Sequence, residues 1–256
     1  MKDPIVIIGM GEMAGVFARG FLRLGHPVYP VTRDMSIAAV AAELPTPALV
    51  LVAVGEADLH PILEQIPTLW LDRLGLLQNE LLPRDWHAHD LTDPTVISVW
   101  FEKKKGMDYK VLIPSPVFGP NAELIAAALN AIGIPTTVPA NRDELRYELV
   151  RKNVYILTTN IAGLKTGGNV SELWQNHQQL ARDVANDVMQ LQAWLTNVSD
   201  VDRERLISGM LEAFDGDPQH VCMGRSAPGR LARALELAAK AGIEVATLQG
   251  ISDETT

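Results

Sequence analysis

Short runs of apolar residues recur along the first half of the chain and are separated by amphipathic stretches. "IVII" at 5–8, "ALVLVAV" at 48–54 and "TVISVWF" at 95–101 are almost wholly apolar, which is typical of strands buried on both faces of a sheet. Residues 13–24 place apolar side chains at helical spacing and are followed by Gly25, where a helix commonly ends. The first half is therefore predicted to alternate strands with helices.

The same criteria assign the other elements of the first half. Strands joined by helical crossovers, with no early hairpin signal, predict a parallel, doubly wound sheet. The basic run at 103–105 is interpreted as a solvated hairpin turn. The predicted strands are 5–8, 27–32, 48–54, 68–71, 95–101, 110–113 and 136–138, and the predicted helices are 13–24, 37–44, 59–66 and 122–132.

The helical pattern dominates from residue 142 onward, and the segment "VPANRD" at 138–143 marks the change. The predicted fold class is α/β, with an N-terminal Rossmann-type doubly wound parallel sheet in residues 1–141 and a C-terminal all-helical domain in residues 142–256. The helices predicted in the second half are 142–165, 170–195, 202–214 and 231–241.

The turn after the first strand fits the pattern G-x-G-x-x-[GA]. It follows a strand and opens a helix, so each small residue has a structural task. Gly9 permits the tight turn, Gly11 lets the backbone approach a pyrophosphate, and Ala14 lets the helix pack on the sheet. The alternative is a turn whose glycines serve packing alone. The candidate pyrophosphate-binding residues are Gly9, Met10, Gly11, Glu12, Met13 and Ala14.

Thr32 and Arg33 follow the second predicted strand. An enzyme that uses NAD usually has Asp or Glu at this place, where it accepts a hydrogen bond from the ribose. A guanidinium suits the 2′-phosphate of NADP instead. Asp34 comes one residue later, and an ordinary exposed arginine is the alternative interpretation of Arg33. The residues favour NADP over NAD.

Residues 147–160 contain a second group of candidates. On a helix, Lys152, Ile156 and Asn160 share one face at spacing i, i+4, i+8. The spacing alone favours a surface lysine and a packing asparagine. The same polar pair would be explained if the face lined a cleft that binds a ligand.

Composition excludes several classes of function. The formal net charge is −9 and the pI about 5.1, which argues against nucleic acid and anionic membranes as partners. The lone Cys222 cannot form an intramolecular disulfide, so a cytoplasmic location is expected, and a small core residue is the favoured interpretation of its role. His87, His89 and Asp90 are interpreted as a polar loop, and no metal site is predicted.

The sequence resembles the ketopantoate reductase family, which reduces 2-dehydropantoate with NADPH. The resemblance covers most of the chain and rests on six segments: "IGMGEMAG", "PALVLVAV", "LLQNELLP", "RKNVYILTTNIAGL", "GGNVSEL" and "AAKAGIEVATL". It implies that Lys152 is the catalytic acid and that Asn79 contacts both cofactor and substrate. It also implies that Asn160 and Asn169 contact the substrate. The expected ligands are a small keto acid and NADP, and a homodimer is a possible assembly.

The chain departs from the family's pattern in and near the implied site. Ile156 stands where the family has an asparagine, Gly55 where it has a lysine, and Glu80 where it has a glycine. Cys222 stands near the family's substrate-binding serine, in a shortened segment at 220–233, and the family's glutamate has no clear match. Two alternative functions therefore stay open: the chain could be a dehydrogenase of another hydroxy or imino acid, or a non-catalytic NADP-binding protein.

Overall fold

The structure is a computed structural model that describes residues 2–199 and 201–255. The chain divides into two units, Met1–Glu148 and Leu149–Thr256. The division falls inside one long helix, whereas the sequence places the domain boundary at the start of the same helix, between 141 and 142.

Unit 1 combines strands with short helices. Its strands are β1 (Ile5–Ile8), β2 (Val28–Val31), β3 (Leu49–Val52), β4 (Leu74–Leu76), β5 (Thr95–Ile97), β6 (Phe101–Glu102), β7 (Lys110–Val111), β8 (Ser115–Phe118) and β9 (Thr136–Thr137). Its helices are α1 (Glu12–Arg23), α2 (Ile37–Glu43), α3 (Leu59–Leu63), α4 (Pro83–His87) and α5 (Ala122–Asn130).

Within the described residues, seven strands form one sheet in the order β2-β1-β3-β4-β5-β8-β9. The first five are parallel, and β8 pairs antiparallel with β5. The mostly parallel, doubly wound sheet of the predicted fold class is thus confirmed. The fully apolar β1 and β3 are buried on both faces, as their sequences require. α1 contributes Phe17 and Phe21 to the core beneath them.

Two predicted strands of unit 1 are wrong. Residues 68–71 lie in a 3-10 helix, Thr68–Arg73, in which the buried Trp70 donates its ring N–H to the Leu44 carbonyl at 3.0 Å. The strand comes directly afterwards, at the fully buried β4. The predicted strand 95–101 breaks into β5 and β6, since Pro116 in the neighbouring β8 has no N–H to continue the ladder.

Unit 2 is helical throughout its regular structure, as predicted. The long α6 (Arg142–Thr166) begins in unit 1 and continues into unit 2. The following helices are α7 (Val170–Asn176), α8 (Gln178–Thr196), α9 (Arg203–Gly216), α10 (Ala227–Ala241) and α11 (Ala246–Thr255).

Polar contacts inside unit 2 tie its helices together. The buried Arg151 of α6 donates to the Gly209 carbonyl and to Glu212 of α9, both at 2.9 Å. Asp187 of α8 accepts the amides of Thr247 and Leu248 in the first turn of α11. These contacts link α6 to α9 and α8 to α11.

The predicted helix 170–195 is divided in two at His177, whose φ of −136° and ψ of 34° are not helical. The buried positions Val170, Leu173, Ala181 and Val184 keep one helical phase across the break, so the hydrophobic pattern could not show it. The sequence also missed β8, α4 and α11. No helix in the described parts of the chain is long and apolar enough to cross a membrane.

Candidate functional site

The strand order of unit 1 creates a crevice at the carboxyl ends of β1 and β3. The chain passes from β1 to β2 on one side and then returns to β3 on the other. Ligands of open α/β sheets bind outside the carboxyl ends of the strands at such a reversal. The predicted turn after β1 and the pair Thr32–Arg33 after β2 both lie at this edge of the sheet.

Gly9 is the residue on which the turn depends. Its φ is +89°, in the left-handed region that favours glycine. A Cβ atom placed on Gly9 would lie 2.9 Å from the Ala53 carbonyl oxygen and 2.9 Å from a Val54 methyl group. Glycine is therefore required both by the backbone conformation and by the close approach of the segment after β3.

The N-terminus of α1 is open toward solvent. Gly11 is its N-cap and is exposed, and no side chain caps the described helix end. A Cβ on Gly11 would meet nothing within 4 Å. Ala14, by contrast, is fully buried in the core. The first amides of a helix have no intrahelical acceptor, so amides near Glu12 and Met13 suit a pyrophosphate, and the turn fits this group.

Lys103 reaches this turn, which the sequence did not indicate. Its Nζ lies 3.0 Å from the Glu12 carboxylate, and its side chain is only 18% exposed. The hairpin predicted at 103–105 is confirmed, since the segment joins the antiparallel β6 and β7, but Lys103 is only partly exposed, while Lys104 and Lys105 are exposed. The ion pair neutralises a carboxylate that would otherwise repel phosphates. The two residues line a groove of about 480 Å³ together with Met10, Gly11, Gly15 and Arg19.

Thr32 and Arg33 are exposed in the turn that follows β2. The position is the one where the second strand of a dinucleotide-binding sheet meets the ribose. An exposed guanidinium here can turn toward a 2′-phosphate. The role of both residues in binding NADP stays a prediction.

Asn79 lies three residues after Leu76, the last residue of β4, and so beyond the carboxyl end of that strand. The Gln78 side chain donates to the Val52 carbonyl at 2.7 Å and so ties this segment to the end of β3. Glu80 has a φ of +62°, in the left-handed region. The resemblance aligns Glu80 with a glycine, and this backbone conformation explains why a glycine suits the position.

In unit 2, the face predicted on α6 is present. Lys152 and Ile156 are partly buried and Asn160 is 8% exposed. Burial of the ammonium group, together with the nearby charge of Arg230, lowers the pKa of Lys152 to about 7. Its Nζ lies 5.5 Å from the centre of the Tyr155 ring. A lowered lysine pKa is a feature of many functional sites, and the catalytic role of Lys152 stays a prediction.

Arg230 of α10 is a member of this group that the sequence analysis missed. Its Nη1 donates to Asn160 Oδ1 at 3.0 Å, and only 6% of the residue is exposed. A signal was available, because Arg230 falls on the helical stripe that includes the buried Ala227, Leu231 and Ala234. A charged residue on an apolar stripe indicates either a paired charge or a ligand site.

Asn169 is the N-cap of α7. Its Oδ1 accepts the Glu172 amide at 2.9 Å, and its Nδ2 donates to the Gln219 side chain at 3.3 Å. Both polar atoms of the side chain thus have partners in unit 2, and the residue forms a capping box with Glu172. A contact between Asn169 and the substrate stays a prediction.

Cys222 is fully buried, in agreement with the core role expected from the sequence. Burial raises the pKa of its thiol to about 11, with a smaller contribution from Glu172. A thiol that stays protonated is a poor nucleophile. In the loop after α4, His89 hydrogen bonds with His60 at 2.8 Å.

Comparison with known proteins shows similarity of structure rather than of sequence. No family model and no curated protein matches the chain. The PanE/ApbA family ketopantoate reductase from Ralstonia eutropha JMP134 shares 16% identity at a TM-score of 0.68, over 100% of this chain and 97% of its own. The probable 2-dehydropantoate 2-reductase from Bacillus subtilis shares 16% identity at a TM-score of 0.66, over 98% of each chain.

A structure of D-mandelate dehydrogenase with NADH and anilino(oxo)acetate is also similar. It shares 14% identity at a TM-score of 0.67, over 99% of this chain and 96% of its own. Identities this low establish the fold and leave activity to be argued from the site. The resemblance to the ketopantoate reductases is confirmed at this level: the chain has the fold of that family over its whole length, in a strongly diverged sequence.

Proposed function

We propose that the chain is an NADPH-dependent reductase that converts a 2-keto acid to the 2-hydroxy acid, with 2-dehydropantoate as the first candidate substrate. The observation that carries the proposal is Lys152, a lysine with a pKa of about 7 on the face of α6 that also carries Asn160, to which Arg230 is hydrogen bonded. A general acid is most effective when its pKa lies near the working pH. The fold is the same as that of known keto acid reductases.

Unit 1 supplies the residues that would hold the cofactor. The positive φ of Gly9, the open space at Gly11 and the uncapped start of α1 fit a pyrophosphate. Arg33, with Thr32, would bind the 2′-phosphate, and Asn79 would contact nicotinamide and substrate. When bound, the nicotinamide supplies a hydride to the ketone carbon.

The remaining chemistry belongs to Lys152 and its neighbours. As the carbonyl oxygen gains negative charge, the Lys152 ammonium donates a hydrogen bond to it and then transfers its proton, which leaves a neutral amine and a hydroxy acid. The Tyr155 ring limits the positions that the ammonium can take. Asn160, anchored by Arg230, would position the substrate.

A different 2-keto or imino acid is the second candidate. Ile156 is partly buried on the same face as Lys152, where the family pattern has a polar asparagine. An apolar side chain at this place favours a substrate with an apolar group over one with a hydroxyl. One structural neighbour is a mandelate dehydrogenase.

Steady-state oxidation of NADPH tests the proposal. Purified protein and NADPH are mixed with 2-dehydropantoate (also called 2-ketopantoate) or with a panel of 2-keto acids that carry aliphatic and aromatic side chains. NADH is the control cofactor. We expect turnover with at least one keto acid and a preference for NADPH. Binding of NADPH without turnover of any acid would support the non-catalytic role instead.

Replacement of Lys103 by alanine tests the ion pair at the turn. Without its partner, the Glu12 carboxylate would repel the phosphates, and the Kd for NADPH should rise about tenfold, or about 1.4 kcal/mol. Isothermal titration measures the change. Lys104→Ala removes the same charge from the neighbouring exposed position and should leave the Kd unchanged. An equal Kd for Lys103→Ala and wild type would contradict the role.

The pH dependence of the reaction follows from the pKa of Lys152. Reduction requires the ammonium form, so kcat/KM for keto acid reduction should fall by about tenfold per pH unit above pH 7. Oxidation of the hydroxy acid requires the neutral amine and should rise with pH through the same range. Initial rates between pH 5.5 and 9.5, in the two directions, give both profiles. Flat profiles in this range would rule out Lys152 as the acid.

A homodimer is the assembly that we would test first. A structurally similar ketopantoate reductase from Staphylococcus aureus is described as dimeric. Light scattering on the purified chain would decide between a monomer and a dimer.

A further inference from the structure

We propose that Arg230 binds the carboxylate of the 2-keto acid, next to the ketone that Lys152 protonates. The inference rests on the proposed function and extends it to the group that selects the substrate. It names the residue that would make the carboxylate of the 2-keto acid a requirement for binding. Arg230 is buried, and it is hydrogen bonded to Asn160 on the face of α6 that also carries Lys152.

Arg230 is held in one orientation. It lies in the first turns of α10, on the buried stripe of that helix, and is 6% exposed. The hydrogen bond from Nη1 to Asn160 Oδ1, at 3.0 Å, fixes the guanidinium against the Asn160 face of α6. A planar fork with a fixed orientation is the side-chain arrangement that best recognises a carboxylate, because two parallel N–H groups can reach its two oxygens.

Two cations meet at this place. Lys152 and Asn160 lie on one face of α6, and Arg230 is hydrogen bonded to Asn160, so Arg230 contacts the face that carries Lys152. Its charge also helps to lower the pKa of Lys152. A bound carboxylate would be attracted by both positive charges. A 2-keto acid carries its carboxylate on the carbon next to the ketone. It can therefore place an anion on Arg230 and its ketone oxygen on Lys152 at once.

The chain is built to hold α10 close to α6. A Cβ atom on Gly163 of α6 would lie 2.9 Å from Cys222 Cβ and 3.1 Å from Met223 Cβ. Gly224 then passes Asn160, its Cβ position lying 4.0 Å from Asn160 Oδ1. Gly163 thus allows the segment that leads into α10 to pack directly on α6. This packing places Arg230 within hydrogen-bond distance of Asn160.

This arrangement also changes the role of Asn160. Its Oδ1 accepts from Arg230, so the oxygen positions the arginine. Cys222, which the resemblance places near a substrate-binding serine, is fully buried and its thiol is a weak hydrogen-bond donor. Arg230 is the stronger candidate for the carboxylate.

Three variants test the inference: Arg230→Gln, Arg230→Lys and the matched control Arg233→Gln. Arg233 lies one turn later on α10 and is exposed. With 2-ketopantoate or the best acid of the panel, Arg230→Gln should raise KM roughly 10- to 100-fold, as expected for loss of a charge-assisted pair. The Kd for NADPH should not change, Arg230→Lys should restore part of the loss, and Arg233→Gln should match wild type. Thermal unfolding confirms that each variant is folded.

A second measurement tests carboxylate binding even if the wild-type protein reduces none of the keto acids. Oxamate, a non-reducible analogue of a 2-keto acid, is titrated into wild type and variants in the presence of NADPH. Binding to wild type and to Arg233→Gln that is lost in Arg230→Gln supports the carboxylate site even if no keto acid is reduced. Equal KM and equal oxamate binding in wild type and Arg230→Gln, or no oxamate binding to wild type, would overturn the inference. Among these results, a lack of turnover in wild type is the one that counts against the proposed function.

Discussion

Replacing Lys152 by methionine should reduce kcat for keto acid reduction by about 10³-fold, which lies within the range for loss of a general acid. Methionine keeps much of the length of the side chain but cannot donate a proton. The Kd for NADPH should stay within about twofold of wild type, because the predicted cofactor residues are in unit 1. Rapid mixing of enzyme, NADPH and keto acid measures the hydride step directly.

The stability of this variant separates a catalytic loss from unfolding. Since the pKa of Lys152 is about 7 in the folded chain and 10.5 is its ordinary value, the unfolded chain holds this proton more tightly. Protonation of the unfolded chain at this lysine therefore lowers the free energy of unfolding. This loss is absent well above pH 10.5, grows as the pH falls toward 7, and is complete below pH 7. Lys152→Met removes this loss, so its Tm should exceed that of wild type at pH 6.

Lys165→Met is the matched control for the same helix. Lys165 is exposed near the end of α6, where it pairs with Glu254 at 2.7 Å. Its replacement removes one positive charge without touching the proposed site, so kcat should be unchanged. Equal loss of activity in the two variants, or full activity in Lys152→Met, would show that Lys152 is not the acid.

Gly9→Ala should destabilise the chain and weaken NADPH binding together. A left-handed conformation costs a residue with a Cβ about 1–2 kcal/mol, and a contact as close as 2.9 Å to the Ala53 carbonyl adds about 1–3 kcal/mol. The sum is a large part of the stability of an ordinary domain, which is roughly 5–15 kcal/mol. Urea unfolding measures the first effect, and titration with NADPH measures the second.

Gly11→Ala separates the two effects. Gly11 has a φ of −78°, and a Cβ there would meet nothing within 4 Å. The free energy of unfolding should therefore be nearly unchanged. The added methyl group would stand where the pyrophosphate approaches the backbone, so NADPH affinity should fall. An unchanged affinity in Gly11→Ala would argue that the turn serves packing alone.

Much of the fold was predictable because its signals are local. β1, β3 and α1 are specified by continuous apolar runs and by one amphipathic stripe. The errors arise where tertiary contacts decide. Trp70 forms a 3-10 turn through its bond to Leu44, and the break at His177 leaves the hydrophobic phase intact.

The candidate site was predictable only in part for the same reason. Gly9 carries its own signal in the glycine motif, whereas the spacing of Lys152 alone favoured a surface lysine and its proposed role came from the resemblance. Arg230 meets Asn160 across 70 positions of sequence, and Lys103 meets Glu12 across 91. No local pattern contains such pairs, although the place of Arg230 on a buried stripe was a usable hint.

The most direct test of the account is transfer of deuterium from cofactor to product. NADPH labelled at C4 with deuterium on the transferred face is incubated with protein and the best keto acid, and the hydroxy acid is analysed by mass spectrometry. The account predicts a product one mass unit heavier, with deuterium on the former ketone carbon, and at least a 100-fold slower appearance of that product with Lys152→Met. A product without deuterium, or no hydroxy acid from any 2-keto acid, would contradict it.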